Sequence, residues 1–352
     1  MALAVGRQLH ASAAHYAAAA TRTQDTYSHG HHRSVVGMHA VRTAEVEAAY
    51  LLPHLRAGQR LLDVGCGPGT ITKGFAERVG AEGHVTAIDT VDAVLEQAEA
   101  VLAGLGNVTV SAESVYDLSA HADGSFDVVH AHQVLQHLAD PVGALREMRR
   151  VCATGGVVAV RDADYATMQA HPEPRCGGLD RWRSVYTAVA RSNDAEPNAG
   201  RWLMQWMEEA GFRSDDVQFS AAPMVYSAHD EAARTGWGEG WAERCVSSAF
   251  GKQAVSDGLA TAEEMRSISA AWKEWSGEPN GVFCELPRPG SDSDSAFCLF
   301  CVISDSHICG AQTMSTGRRS RPWSGDTRPH CTVNQCTLKL VAGVHLHVNN
   351  IF

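Results

Sequence analysis

The ten residues from Leu61 to Thr70, LLDVGCGPGT, decide the fold of this chain. Two apolar residues lead into an acid and then into glycines at alternate positions, and residues 71–79 continue with apolar side chains at helical spacing. Glycine permits tight turns and lets a ligand lie against the backbone. The stretch therefore predicts a strand, a tight turn, and a helix whose first turn offers free N–H groups.

A second predicted strand, residues 84–88, ends at Asp89, twenty residues after Gly69. A carboxylate at that spacing can accept hydrogen bonds from ribose hydroxyls. The glycines are spaced G-x-G-x-G, whereas a dinucleotide fold has G-x-G-x-x-G, so the spacing disfavours a nicotinamide dehydrogenase. Asp63, just before the glycines, would repel a phosphate and attract an ammonium group.

These two motifs, LLDVGCGPGT and VTAID, resemble motifs one and two of the class I methyltransferases that use S-adenosylmethionine. The resemblance implies that Asp63 and the glycine turn hold the methionine part of this cofactor and that Asp89 holds its ribose. The residues that we assign to the cofactor are Asp63, Gly65, Cys66, Gly67, Gly69, Asp89, Thr90, Glu113, Ser114, His130 and Gln133.

A second resemblance covers about residues 25–284 and links the chain to fungal and bacterial small-molecule methyltransferases, relatives of the ubiquinone and menaquinone C-methyltransferases. It rests on YSHGHH at 27–32 and on the run from Asp127 to Asp164. The resemblance implies that the N-terminal segment closes over the cofactor. We assign Tyr27, His31 and Arg42 to this lid. The clustered histidines lack acidic or cysteine partners at a metal-ligand spacing, so we predict no metal site.

Strands and helices alternate between residues 60 and 160, which predicts right-handed βαβ units and a parallel sheet. We expect an α/β fold with a doubly wound, seven-stranded, mostly parallel Rossmann-like sheet. The sixth strand is predicted within Asp216–Ser227 and the seventh at Gly281–Cys284. A helical insertion between them, rich in tryptophan, is predicted to cover the acceptor site.

Four segments are expected along the chain. Residues 1–26 form a flexible N-terminal arm, and 27–165 form the cofactor-binding core with its lid. Residues 166–286 hold the helical cap and the last strands, and 287–352 form an atypical tail. The apolar patch Phe297–Ile303 has no evident partner, and the tail offers no periodic apolar face, so we expect it to be poorly ordered and dispensable.

The composition limits the partners. The net charge of this 352-residue chain is −11, from 29 basic and 40 acidic residues, which argues against nucleic acid. No apolar run approaches the length of a membrane span. The alanine-rich N-terminal arm weakly resembles a mitochondrial transit peptide, but we favour a cytoplasmic protein. We predict a small-molecule acceptor and leave the oligomeric state open.

Polar side chains follow the fourth and fifth predicted strands, where ligands bind in open α/β sheets. Methyl transfer requires alignment of the acceptor and exclusion of water, and a base where the acceptor must lose a proton. A histidine base would give an inflection in the rate between roughly pH 5 and 8. We expect His132, His137 and Asp162 to be catalytic and Asp164 to orient the acceptor.

The sequence thus favours a methyltransferase acting on oxygen, sulfur, nitrogen or carbon of a small molecule, in secondary metabolism. The alternative is a non-catalytic or regulatory protein with the same fold.

Overall fold

The stretch LLDVGCGPGT forms the strand Arg60–Val64, a turn, and a helix that begins at Thr70. Gly65, Gly67 and Gly69 in the turn have positive φ values of 64°, 56° and 79°. Residues with a Cβ rarely take that conformation, so glycine is what allows so sharp a turn. The computed structural model describes residues 25–30, 32–174, 178–285 and 298–304.

Strands and helices alternate through the first half of the described chain. The strands are β1 (Arg60–Val64), β2 (His84–Asp89), β3 (Val108–Ala112), β4 (Phe126–His132), β5 (Cys152–Ala163), β6 (Met168–His171), β7 (Val217–Ala221), β8 (Val225–Tyr226), β9 (Val282–Glu285) and β10 (Cys298–Ser304).

Four helices of the second half, Leu179–Ser192, Glu231–Ser247, Ala249–Ser256 and Ala262–Ser276, pack together with the residues around Met224 and Tyr226, and we call this group the cap. The α-helices are α1 (Arg33–His39), α2 (Ala44–Glu47), α3 (Thr70–Val79), α4 (Asp92–Leu102), α5 (Pro141–Val151), α6 (Leu179–Ser192), α7 (Leu203–Glu209), α8 (Glu231–Ser247), α9 (Ala249–Ser256) and α10 (Ala262–Ser276). Short 3-10 turns cover Leu52–His54, Leu135–His137, Tyr165–Thr167, Ala199–Trp202 and Ser214–Asp216.

The main sheet has the strand order β3-β2-β1-β4-β5-β10-β7. Strands β1 to β5 pair in parallel, whereas β10 is antiparallel to both β5 and β7. The strand order reverses between β1 and β4, which opens a crevice at their carboxyl ends. The predicted α/β class and the mostly parallel sheet are confirmed.

The last strands differ from our prediction. The predicted seventh strand becomes β9, which pairs with β6 and β8 in a separate three-stranded antiparallel sheet. The place beside β5 is taken by β10, so the patch that we expected to lack a partner is hydrogen-bonded on both sides. Pairing with strands so far away along the chain, such as that of Leu299 with Ala221, is invisible to a local apolar pattern. The remainder of 287–352, and residues 1–24, lie outside the described residues.

The cap has its own aromatic core. Trp182, Trp241 and Trp272 are at most 1% exposed and pack with one another at ring-centroid distances of 4.6 to 6.1 Å. These side chains come from α6, α8 and α10, so the core holds the three helices together. Within the described part of the chain, no helix combines the length and the apolar character needed to cross a membrane.

The pairing of β10 generates a stability prediction. A chain ending after Glu285 should unfold with a free energy lower by at least about 3 kcal/mol than a chain ending after Ser304, since each lost ladder hydrogen bond contributes about 1 kcal/mol. The register joins seven residue pairs with β5 and five with β7. Guanidinium unfolding of the two chains measures the difference. Equal unfolding free energies would show that the tail is dispensable after all.

Candidate active site

A cavity of about 250 Å³ lies at the carboxyl ends of β1, β2 and β4. Three parts of the chain enclose it: the loops that follow these strands, the N-terminal segment between residues 25 and 42, and the cap. The cap contributes Met224, Trp237 and Arg244 to the wall. The structure therefore places the cavity at the strand-order reversal, where open α/β sheets bind ligands.

The three glycines of the turn have different surroundings. A Cβ on Gly67 would meet no atom within 4 Å, so this glycine leaves open space in the cavity wall. A Cβ on Gly65 would lie 2.5 Å from Val134 Cγ2, and one on Gly69 would lie 3.0 Å from Leu102 Cδ1. Gly69, which we assigned to the cofactor, does not line the cavity; it allows α3 and α4 to approach each other.

The carboxylate of Asp89 ties the end of β2 to the glycine turn. It accepts hydrogen bonds from the backbone N–H of Gly67 at 3.2 Å, of Thr90 at 2.8 Å and of Val91 at 3.2 Å. Asp89 therefore has a fixed orientation in the cavity wall. Four more of the residues that we assigned to the cofactor lie in the same part of the wall: Cys66, Thr90, Glu113 and Ser114.

Asp63 and His130 form a buried pair across the central strands. The Nδ1 atom of His130 lies 2.8 Å from one carboxylate oxygen of Asp63, and the Thr72 hydroxyl donates to the other at 2.6 Å. Both residues line the cavity although their side chains are at most 4% exposed. The pair therefore forms part of the cavity wall, and the Asp63 carboxylate is held in place from two sides.

Hydrogen bonds fix the tautomer of His137. The Gln136 side-chain oxygen accepts from the Ala163 backbone N–H at 3.0 Å, which turns the Gln136 amide nitrogen towards His137 Nε2, 3.0 Å away. Nε2 is thus an acceptor, and the proton resides on Nδ1. Among the described residues Nδ1 has no hydrogen-bond partner.

The predicted catalytic histidines stay neutral. Burial, with the Arg42 cation, lowers the pKa of His137 to about 3 from the usual 6.5. Burial, followed by the cations of Arg161 and Arg42, holds the pKa of His132 well below the same value. His132 lies 3.7 Å from the Glu47 carboxylate. Neither histidine titrates between pH 5 and 8, which speaks against the inflection that we expected from a histidine base.

The predicted acids at the end of β5, Asp162 within the strand and Asp164 just after it, lie outside the cavity wall. Asp162 is fully buried and accepts from the Gln136 backbone N–H at 2.9 Å, and burial raises its pKa well above the usual 3.8. Asp164 pairs with Arg201 at 2.6 Å and caps the 3-10 turn through the Ala166 N–H. The structure therefore gives both acids contacts that support loops, in place of the acceptor contacts that we expected.

The N-terminal segment packs over the loop after β4. Arg42 donates to the Gln133 side-chain oxygen at 2.7 Å, and the Tyr27 ring packs edge-on against His137 with centroids 4.6 Å apart. Gln133 has a φ of 54°, an uncommon conformation for a residue with a Cβ. Tyr27, Arg42 and Gln133 all line the cavity. His31 lies outside the described residues.

Sequence reasoning missed several polar groups of the wall, among them His29 and Arg244. His29 Nε2 lies 2.9 Å from the Tyr186 hydroxyl, and the two rings stack at 4.9 Å. Burial, followed by the cation of Arg244, holds the pKa of His29 well below 6.5. His29 belongs to YSHGHH and could have been named with Tyr27, but no local pattern marks Arg244, which comes from a helix of the cap.

The comparisons with known proteins agree with this geometry. A family model described as a methyltransferase domain matches residues 55–211. An uncharacterized methyltransferase of Schizosaccharomyces pombe is 32% identical over 268 residues, which cover 73% of this chain and 92% of that protein. A probable methyltransferase of Aspergillus luteorubrus is 34% identical over 224 residues, which cover 59% of this chain and 77% of that protein.

Among solved structures, a methyltransferase dependent on S-adenosylmethionine from Aquifex aeolicus aligns with 55% of this chain and 93% of its own, at 21% identity and a TM-score of 0.41. The yeast alignment spans nearly the whole of a protein named as a methyltransferase. The residues matched by the family model include the strand, glycine turn and helix that open the cavity. This chain therefore belongs to the class I methyltransferases that use S-adenosylmethionine.

Proposed function

We propose that this methyltransferase acts on a small organic acceptor held in the cavity between the sheet, the N-terminal segment and the cap. The observation that carries the proposal is the set of walls around about 250 Å³: Tyr27 and His29 of the N-terminal segment and Trp237 and Arg244 of the cap line the cavity together with the strand ends. A cavity of that size, with walls from three parts of the chain, favours a small molecule over a macromolecular substrate. The resemblance to small-molecule methyltransferases supports an acceptor from secondary metabolism.

The residues present fit S-adenosylmethionine. Gly67 leaves space beside the turn, and the carboxylates of Asp63, Asp89 and Glu113 line the same part of the wall. Negative charge there suits a ligand that carries an ammonium and a sulfonium group. When bound, the cofactor supplies a methyl group that is already activated for displacement. Arg42 of the N-terminal segment, which donates to Gln133 just after β4, is the cation that we assign to the cofactor's carboxylate.

We assign His137 the role of a hydrogen-bond donor to the acceptor. Its proton is on Nδ1, which has no partner among the described residues, and its low pKa leaves it a weak base. A neutral donor orients the acceptor atom and does not remove its proton. His132 lines the wall beside it, and Asp162 acts indirectly by holding the Gln136 backbone.

The proposed function is tested in two steps. The purified protein is first titrated with S-adenosylmethionine to measure binding. The release of S-adenosylhomocysteine is then measured in the presence of candidate phenols, thiols and amines. Turnover with one of them supports the proposal. Binding without turnover on any class would favour the alternative, a non-catalytic protein of the same fold.

Cofactor binding should depend on Asp89. Asp89→Ala removes a charged hydrogen-bond acceptor, so the dissociation constant for S-adenosylmethionine should rise by a factor corresponding to about 1.5–3 kcal/mol. Asp92→Ala, which changes a neighbouring exposed acid at the start of α4, is the matched control and should bind as the parent does. Calorimetry measures both. Unchanged affinity in Asp89→Ala would rule out the ribose assignment.

The pH dependence of stability should report the neutral state of His137. Its folded-state pKa of about 3 lies below the usual 6.5, so the unfolded chain takes up a proton that the folded chain does not. The stability that this histidine contributes is complete above pH 6.5 and is lost as the pH falls towards 3. Between pH 3 and 6.5, the unfolding free energy of His137→Gln should therefore change with pH less steeply than that of the parent. The difference in slope should be about 1.4 kcal/mol per pH unit.

The unfolding free energies of parent and His137→Gln should run parallel above pH 6.5, which serves as the internal control. Equal slopes below that pH would mean that His137 is protonated in the folded protein, and its assignment as a neutral donor would fail.

A further inference from the structure

Arg244, on α8, is a buried cation in the cavity wall. It is 3% exposed, and its guanidinium carbon lies 4.8 Å from the centroid of the Trp241 ring. Its protein acceptors are the backbone carbonyls of Ser34 and Val35, at 3.5 and 3.4 Å, long for hydrogen bonds. Its Nε has no partner among the described residues. The guanidinium therefore has unused hydrogen-bonding capacity beside the cavity.

No acidic side chain of the described chain pairs with Arg244. Burial lowers its pKa, and the nearby cation of Arg42 lowers it as well. A buried cation without a counter-charge costs free energy, since its hydration is lost and nothing replaces it. Such a group is stabilised when a ligand brings the missing negative charge.

Arg234 on the same helix shows what a purely structural arginine looks like here. It is also 3% exposed, but it lies outside the cavity wall and donates to the Ser276 carbonyl at 2.6 Å. The Nε atom of each arginine lacks a partner among the described residues. The two differ in that Arg244 has no hydrogen bond as short as that of Arg234 and that Arg244 alone lines the cavity. Burial alone therefore does not account for Arg244.

The cavity is polarised. Three carboxylates of its wall, Asp63, Asp89 and Glu113, belong to the ends of the strands, and a fourth, Asp25 of the N-terminal segment, accepts from the Tyr116 hydroxyl at 2.6 Å. Arg244 belongs to the cap and lies close to His29 and Tyr27. The second arginine of the wall, Arg42, is held to Gln133 at the exit of β4. The cation of the cap is therefore placed to meet the acceptor, and Arg42 to meet the cofactor.

Building on the proposed function, we propose that the acceptor is a planar, unsaturated molecule bearing an anionic group, a carboxylate or an ionised phenol, and that Arg244 binds this group. The aromatic wall of Tyr27, His29 and Trp237 receives the planar part. Aromatic walls also attract organic cations, but Arg244 would repel an ammonium group, so the site disfavours protonated amines. The neutral His137 Nδ1–H is a second donor for the same anion.

The test compares benzoate with benzamide, which have nearly the same shape and differ in charge. Binding is measured by ligand-observed NMR in the presence of S-adenosylhomocysteine. The parent protein should bind benzoate about tenfold more tightly than benzamide, or better, as expected for a hydrogen bond between charged groups. Equal affinity for the two probes, or no benzoate binding at millimolar concentration, would overturn the proposal.

Variants separate the acceptor role from the cofactor role. Arg244→Gln should abolish the preference for benzoate, and Arg244→Lys, which keeps the charge without the planar fork, should retain part of it. Arg234→Gln is the matched control and should keep the full preference. If Arg244→Gln fails to fold, the preference for benzoate over benzamide in the parent and in Arg244→Lys still tests the proposal.

Calorimetry with S-adenosylhomocysteine measures whether the Arg244 variants still bind the cofactor product. Its affinity should be the same in the parent and the Arg244 variants. A loss of S-adenosylhomocysteine affinity in Arg244→Gln would show that this arginine binds the cofactor's carboxylate, which contradicts the proposal. Failure of the parent protein to bind S-adenosylhomocysteine or S-adenosylmethionine would instead contradict the proposed function.

Discussion

The buried contact between Asp63 and His130 is the interaction on which the site depends. The two residues face each other across the pairing of β1 and β4, and Thr72 joins them from the first turns of α3. A buried carboxylate is costly unless it is hydrogen-bonded, and here both of its oxygens are. The contact thus links the two strands whose ends form the crevice to the helix that follows the glycine turn.

A polarised cavity follows from that arrangement. Carboxylates lie at the strand ends, and the cap and the N-terminal segment supply the arginines. Because the histidines between them are buried near cations, they remain neutral and can donate or accept hydrogen bonds without changing charge. Under the proposed function, catalysis would rest on alignment and on the exclusion of water, which suits a methyl donor that needs little further activation.

Local pattern was sufficient to predict which side chains meet beside the glycine turn. The turn, the acid at the end of β2 and the side chains after β4 are each adjacent to a strand end, so their positions follow from strand and helix periodicity. It was insufficient for the acids at the end of β5. Whether Asp162 and Asp164 point into the cavity or into the loops depends on Gln136 and Arg201, which approach from other elements. Their burial and partners are products of packing.

The sequence by itself determined the α/β class, the parallel strands and the glycine turn, because these depend on short-range periodicity and on the backbone freedom of glycine. Only the tertiary structure decided which strand lies beside β5, since a strand's partner is set by long-range hydrogen bonding. It alone decided the charge state of the histidines, because pKa values depend on burial and on neighbouring cations. It also buried Arg244 in the cavity wall, more than a hundred residues along the chain from β1, β2 and β4, although arginine usually lies at the surface.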